Sequence, residues 1–576
     1  MRRLVWISFA LAALVTMVLL FSPGHAQSRP IVSSGGILNA ASYTLDGMPN
    51  SGIARGGMFL VYGYGLGPST LQKAPDPPTP LPTKLGETSI QVLVAGTTVD
   101  ALIQYTSANV VAAVLPSNTP EGSGVLTLTY NGLPSTTVAI RVVHTALGVF
   151  AQNQAGSGPA VVQNYNSETD QPVNTIIEAA HPNQVMILWA SGLGPASGDP
   201  AVAATPGNLD VDTQVLVGGK NAKMLYWGRS PRYPGVDQIN FQLPADVPEG
   251  CYVPLYVRAG GVLSNFTSIA VSSRDKVCSD PHGLPVSTLA QLRAGQDLRL
   301  GWVQLYRLNM KLDSLVPFGS IDGSADLGFG DFFRWTPQTA VQSQSMNSGV
   351  EVPVGTCAVY PMLQNLKSFV IGSWRPNRLN VGSSLTLTGP AGIKTLPLRL
   401  NSGSYDRQPL GIWEPNISMI PASARVSYLV PGAYSLSNGT GTADFKPFQA
   451  SLNIVPSSLS WSVSGGLGAI DTSQGMTVTW TGGDPSREHV LIAGATFLPD
   501  LMNLQVGAVF SCAERVEAGR FTVPPAIFSA LPRGTGTSLV GIGTAPLLTG
   551  QQLSIAGLDA AYFTNVQLDV RQTRFQ

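Results

Sequence analysis

The sequence predicts an all-β protein, with tandem β-sandwich domains in its first half and one or two further β-sandwich-like domains after them. Three observations lead there. The 576 residues include 62 Gly and 44 Pro but only 11% charged residues, a composition rich in turn formers that lacks the Ala-, Glu- and Lys-rich stretches of long helices. Apolar residues recur with the period of a strand: Met58, Leu60 and Tyr62 alternate with Phe59, Val61 and Gly63, and Val125, Thr127 and Thr129 with Leu126, Leu128 and Tyr130. A block is also spelled twice. ARGGMFLVYGYGLGP at 54–68 returns as HPNQVMILWASGLGP at 181–195, offset by 127 residues. VLVAG at 92–96 then answers VLVGG at 215–219, LPSNTPEG at 115–122 answers LPADVPEG at 243–250, and YNGLPS at 130–135 answers RAGGVLS at 258–264. The shared order identifies a tandem duplication whose copies differ mainly in loops.

The chain opens with Arg2 and Arg3, an apolar run from Leu4 to Phe21, and Gly24-His25-Ala26. Residues 1–26 therefore read as a secretory signal peptide, cleaved after the small residues. The alternative is an uncleaved membrane anchor. No later segment is long and apolar enough to span a bilayer, so the mature chain is expected to be exported, soluble, and extracellular or at the cell surface. The 33 basic and 33 acidic side chains balance, and losing Arg2 and Arg3 with the signal leaves a slight acidic excess. That is not the basic footprint of a nucleic-acid binder.

Four cysteines in an exported chain point to two disulfides. Cys251 and Cys278 flank the last hairpin of the second copy, where a bond would pin the end of that domain. Cys357 and Cys512 would tie together two regions of the second half, the alternative being buried free thiols. Four cysteines allow three connectivities, and the spacing does not choose among them.

Residues 31–145 form the first predicted domain and 146–279 the second. Several short strands within about 110–125 residues, with no helical pattern between them, favour a sandwich of immunoglobulin type. The motifs also carry a resemblance. A Gly-Gly ahead of an alternating strand, the turn Gly-Leu-Gly-Pro, a Val-x-Val-x-Gly-Gly-like hairpin, the Leu-Pro-x-x-x-Pro-Glu-Gly turn and an Asn-Gly-like hairpin resemble the IPT/TIG branch of immunoglobulin-like domains. More closely, the pair is similar to repeats common in secreted, largely uncharacterised acidobacterial proteins. PGVDQINFQLPADVPEGCYVPLYVRAGGVLSN at 234–265 is the most family-like stretch; its counterpart at 107–135 lacks the Gln-Ile-Asn and the Cys. The resemblance covers residues 31–273 and implies a fold, with no catalytic residue.

In the second half, a β-rich domain is expected over 284–455 and a C-terminal β-sandwich-like domain over 457–576. A short helix is predicted around Thr288 to Ala294. Positions 298, 300, 302, 306, 308, 310 and 312 are apolar, with Gln304 the sole exception on that face, and read as one long strand or a strand pair. A Gly/Asp/Phe-rich loop is expected over 319–335, then strands near 350–360 and 366–374. Leu385 and Leu387 share a face, as do Phe448, Ala450, Leu452 and Ile454, while Pro456 and the serines after it mark a linker. Beyond it, Met476, Val478 and Trp480 oppose Thr477, Thr479 and Thr481.

No catalytic, cofactor or metal constellation stands out. His144, His181, His282 and His489 lie far apart in sequence, and Ser191 has Trp189 where a nucleophile elbow needs Gly. Gly63, Gly65 and Gly67 lead into Pro68, so a bulge and turn is expected rather than a phosphate-cradling loop and helix. Asp322, Asp326 and Asp331 lack EF-hand spacing, and a solvated loop is favoured over a calcium site. Trp461 and Trp480 read as core. Trp374 in SWRPNR and Trp413 in GIWEP sit beside prolines and charges, as candidate contacts for a sugar ligand. The expectation is a secreted, non-catalytic adhesion, binding or spacer protein, its partners extracellular polysaccharide or cell-surface components. The alternative is a polysaccharide hydrolase with accessory immunoglobulin-like domains, which needs two carboxylates about 5–10 Å apart in a cleft of residues 284–576. A third reading is a structural component of a surface layer.

Overall fold

Alternating strands that bury one face need a second sheet to cover it, and each duplicated segment supplies two. The computed structural model describes residues 29–77, 79–198, 201–202, 204–279, 283–315, 319–346, 352–361, 376–399, 404–413, 427–498, 505–532, 538–548 and 551–576. The predicted signal at 1–26 and the strand expected near 366–374 lie outside them. The chain is all-β and multidomain. In the first repeat one sheet runs Ile31–Asn39, Met58–Tyr64, Val110–Val114, Leu102–Thr106, Gln72–Lys73, and the facing sheet is built on Val138–Val143, Gly122–Tyr130 and Thr88–Val94. Phe59, Val61, Ile90, Val92, Leu126 and Leu128 fill the space between them. The opposite face of Met58–Tyr64 is buried too. Met58, Leu60 and Tyr62 meet Phe150 and Val236 of the second repeat.

The second repeat reproduces this arrangement. Val185–Ser191 pairs with Asp237–Gln242, and Thr213–Val217 with Gly250–Ala259. Leu188, Val215, Phe241 and Val257 are among its fully buried residues. Cys251 is bonded to Cys278, with Cα atoms 5.1 Å apart, which ties the strand Gly250–Ala259 to the chain beyond Thr267–Val271. Tyr256, Leu263 and Phe266 join the core of the C-terminal half, so the second repeat is fastened to that half by shared apolar packing.

A helix, Val286–Arg293, precedes the apolar stretch, which forms one strand of 18 residues, Leu298–Leu315. The segment expected as a loop at 319–335 is its hairpin partner, the strand Gly319–Trp335. Glycines and aspartates obscure its period, and what holds it extended is the long ladder to the apolar strand Leu298–Leu315. The boundary expected between 455 and 457 also differs from what the sheets show. One 13-stranded sheet takes strands from both sides of it. At its centre Leu298–Leu315 pairs in parallel with Ala560–Thr573, Leu300 facing Ala560 and Lys311 facing Arg571. Parallel neighbours are joined by long connections and leave no local signature. Pro456 and the serines form a strap on this sheet, because Gln567 Nε2 donates to Val455 O at 2.9 Å and Ser457 N–H donates to Gln567 Oε1 at 3.2 Å.

A small sheet of Ser460–Val463, Met476–Thr481 and Arg520–Val523 packs on the large one. Its Val478 and Trp480 are buried with Phe510, Cys512 and Ile492 of the large sheet. Cys357 and Cys512 face each other across the antiparallel strands Thr356–Pro361 and Gln505–Arg515 and are bonded, their Cα atoms 4.1 Å apart.

Candidate functional site

In the duplicated blocks the glycines answer to steric need. No helix follows Gly63-Tyr64-Gly65-Leu66-Gly67; a Cβ on Gly63 would lie 2.0 Å from Ile31 O, and one on Gly67 2.2 Å from Thr106 Oγ1. Ser191 is sealed between the repeats, where its Oγ accepts from Met58 N–H at 2.8 Å and donates to Gly235 O at 2.7 Å. Asn39 fastens the same seam by donating to Ala146 O and Ser191 O.

A buried ion pair stands beside this seam. Arg229 Nη1 lies 2.9 Å from Asp237 Oδ1, and both residues are almost wholly buried. Those two atoms are not aligned as a hydrogen bond, so their attraction is Coulombic. Arg229 Nη2 donates instead to Gly194 O, and Asp237 Oδ2 accepts from Leu193 N–H. Burial pushes the Asp237 carboxyl up to about 6, against the opposing pull of Arg229 and of the Leu193 and Gly192 amides. A raised carboxyl favours the protonated folded state. Its stabilisation is therefore complete below the unfolded value near 4 and is lost as pH rises through about 6, on the order of 3 kcal/mol in all. Denaturant midpoints of wild type and Asp237→Asn, compared from pH 4 to 7, are expected to diverge in that window, with the wild type losing ground as pH rises. Parallel curves would refute the assignment.

The three aspartates of the expected loop do not converge. Asp322 and Asp326 fall on one face of the strand Gly319–Trp335 and Asp331 on the other. Asp326 is fully buried; it receives both Arg307 Nε and Nη2 at 2.9 Å, and the Tyr428 and Leu429 amides at 2.7 and 2.8 Å. Asp331 Oδ1 accepts from Arg378 at 2.6 Å. Of the histidines, His144 sits by Arg55 and Glu121 at the surface, His181 Nδ1 donates to Ser272 O, and His489 is buried in the C-terminal half. His282 lies outside the described residues.

Two adjoining clefts flank the strap, of about 290 and about 300 Å³, sharing Ile454, Pro456 and Gln567. The first is floored by Arg307 and Asn309 from the long strand and by Gln567 and Asp569 from the parallel strand. Trp461, on the small sheet, forms its wall. The ring is half-buried, its Nε1 donates to Asp569 Oδ2 at 3.0 Å, and Asn309 Nδ2 donates to Asp569 Oδ1 at 2.9 Å. The Arg571 guanidinium carbon lies 5.8 Å from the Trp461 ring centre, within cation–π range. Asn453, Asn565 and Arg487 line the second cleft with Asp484 and Glu488. Those carboxylates serve a local turn: Asp484 Oδ1 accepts from Ser486 N–H and Oγ, and Glu488 Oε1 accepts from Asp484 N–H. An aromatic ring bordering amides, a carboxylate and guanidinium groups can offer a sugar both a stacking face and hydroxyl partners.

Trp461, expected in the core, does touch the core rim opposite the buried Trp480, but it also lines the cleft. Trp374 lies outside the described residues. Trp413 ends the strand Ser404–Trp413, with its backbone beside Ser324, and its side chain falls outside the description. No local signal marked this cleft, because its floor joins residues about 260 apart, as in the Asn309–Asp569 bond. Among the described residues, no helix is long and apolar enough to cross a membrane.

No protein-family model and no curated protein matches the sequence. Among solved structures, the gamma-CGTase of alkalophilic Bacillus clarkii is 10% identical, with a TM-score of 0.15, over 49% of this chain and 34% of that one. The chain thus spans about a third of that protein's length. Domains 4–9 of the surface layer protein SbsC are 12% identical over 94% of this chain and 65% of that one, with a TM-score of 0.15. SGBP-B of the Bacteroides ovatus mixed-linkage glucan utilization locus, solved with a heptasaccharide, is 10% identical over 79% and 86%, with a TM-score of 0.12.

Proposed function

We propose that this is an exported, non-catalytic binding protein whose C-terminal half takes an extracellular polysaccharide in the cleft beside Trp461, with the tandem immunoglobulin-like repeats as its stalk. The observation that carries this reading is the Trp461 ring, held by Asp569 at the wall of a polar cleft. Two disulfides support an oxidising destination. The two clefts meet at the strap, which suits a chain of sugar units better than a compact ligand. The hydrolase reading asks for two carboxylates across a cleft; Asp484 and Glu488 share the second cleft but belong to one local turn on the same side of it, which favours the binding reading.

Calorimetric titration of the full chain with soluble neutral and acidic polysaccharides is expected to show saturable binding to one class. Trp461→Ala should weaken it at least about tenfold, the loss expected for one stacking contact. Tyr165→Ala, on the second repeat, should leave it unchanged. Binding that survives Trp461→Ala would sink the proposal, as would release of reducing ends during the titration.

A further inference from the structure

The two repeats differ where an edge strand meets its surroundings. In the second, Thr267–Val271 is buried along its whole length, because chain ahead of Val185–Ser191 lies against its outer edge. Ser268 N–H donates to Gly158 O at 2.9 Å, Ser268 O accepts from Ala160 N–H at 2.8 Å, and Asn174 bonds both backbone polar atoms of Ala270. Strand register places the matching residues in the first repeat. Val142 pairs with Ile53 as Val271 pairs with Ala180, so Ala139 is the counterpart of Ser268. Likewise Val32 and Ile37 pair with Gly63 and Val61 as Val149 and Val162 pair with Ala190 and Leu188. Between those points the second repeat has twelve residues, Phe150–Val161, where the first has four, Ser33–Gly36.

The covering segment is therefore missing from the first repeat. Ala139 is exposed, and outside its own sheet it has no backbone partner among the described residues. It borders a groove of about 690 Å³ lined by Ser34, Gly35, Ile37, Val138 and Ile140. Bare edges are normally guarded by charged side chains, Pro or a covering loop; Val138-Ala139-Ile140 has none of these, and the guanidinium of the neighbouring Arg141 is tied to Ser51 O at 2.7 Å. We propose that this groove binds an extended, small-residue peptide segment of a partner polypeptide, which adds as a strand along Val138–Arg141 just as Ser157–Val161 lies along Ser268. Backbone hydrogen bonds would supply the affinity, and the small residues Ser157-Gly158-Pro159-Ala160 that cover the matching edge of the second repeat set the side-chain size. This surface is separate from the Trp461 cleft, so either proposal can fail alone.

The test uses the full chain and a synthetic peptide with the sequence of residues 155–162, AGSGPAVV. Titration is expected to saturate, and hydrogen exchange of amides 137–141 should slow in the complex. Ala139→Pro removes the central N–H and should weaken binding at least about tenfold. Because proline can disturb the strand, a second variant replaces Ser33–Gly36 with the sequence of Phe150–Val161; it should remain folded, fill its own groove and abolish binding. Exchange at 137–141 that is unchanged by saturating peptide would overturn the proposal, as would binding indifferent to both variants. Self-association of the free chain that Ala139→Pro dissolves would assign the groove to a second copy, and would also overturn the peptide partner.

Discussion

Asp326→Ala is expected to destabilise the chain by about 3–5 kcal/mol, the range for breaking a buried, hydrogen-bonded ion pair from one side. The carboxylate is fully buried, and four donors converge on it: two from Arg307, directly opposite on the neighbouring strand, and the amides of Tyr428 and Leu429. Removing it strands a mostly buried guanidinium and two buried amides. The Tyr428 segment would also lose its two backbone bonds to Asp326, and would be held by Tyr428 Oη on Leu387 O and Gly392 O and by Tyr434 Oη on Tyr428 O. Asp326→Asn keeps the shape and one acceptor oxygen, so it should fall between wild type and alanine. The check is the denaturant midpoint of the full chain, with the Asp322→Ala variant for comparison. A loss for Asp326→Ala below about 1 kcal/mol would put the pair in the class of surface ion pairs and contradict the geometry.

Removing Cys357–Cys512 by double substitution to alanine is expected to destabilise by about 5 kcal/mol on the chain-entropy account, because the bond closes a loop of 155 residues. Cys251–Cys278 closes only 27, for which the same account gives about 3–4 kcal/mol. The order of the two effects is the discriminating result. The longer loop includes Trp461 and the strap, so the cleft should loosen as well. Unfolding monitored by tryptophan fluorescence would register both losses. Equal losses for the two bonds would show that strain or structure left in the unfolded chain outweighs loop entropy.

Both effects depend on residues whose roles were only partly legible in the sequence. Cysteine count and export pointed to two bonds, but only the register of Thr356–Pro361 against Gln505–Arg515 sets Cys357 beside Cys512. Asp326 looked like a loop residue because Gly323, Gly328 and Gly330 hide the strand period around it. Trp461 looked like core from its alternation alone. Half of that description holds, since periodicity reports which face a side chain takes and says nothing about where that face ends.

The sequence by itself determined the all-β class and the tandem repeats, down to the strands Met58–Tyr64 and Val185–Ser191 and the turns that close them. Those features are local: a period of two, glycines at tight approaches, and a motif order repeated within one sandwich. Only the tertiary structure decided that residue 300 runs parallel to residue 560, that Pro456 straps a cleft, and that one repeat keeps an edge covered while its twin leaves it bare. The physical reason is that sheet pairing satisfies backbone groups that every residue carries alike, so the choice of a distant partner is left to packing and leaves no mark on the local pattern.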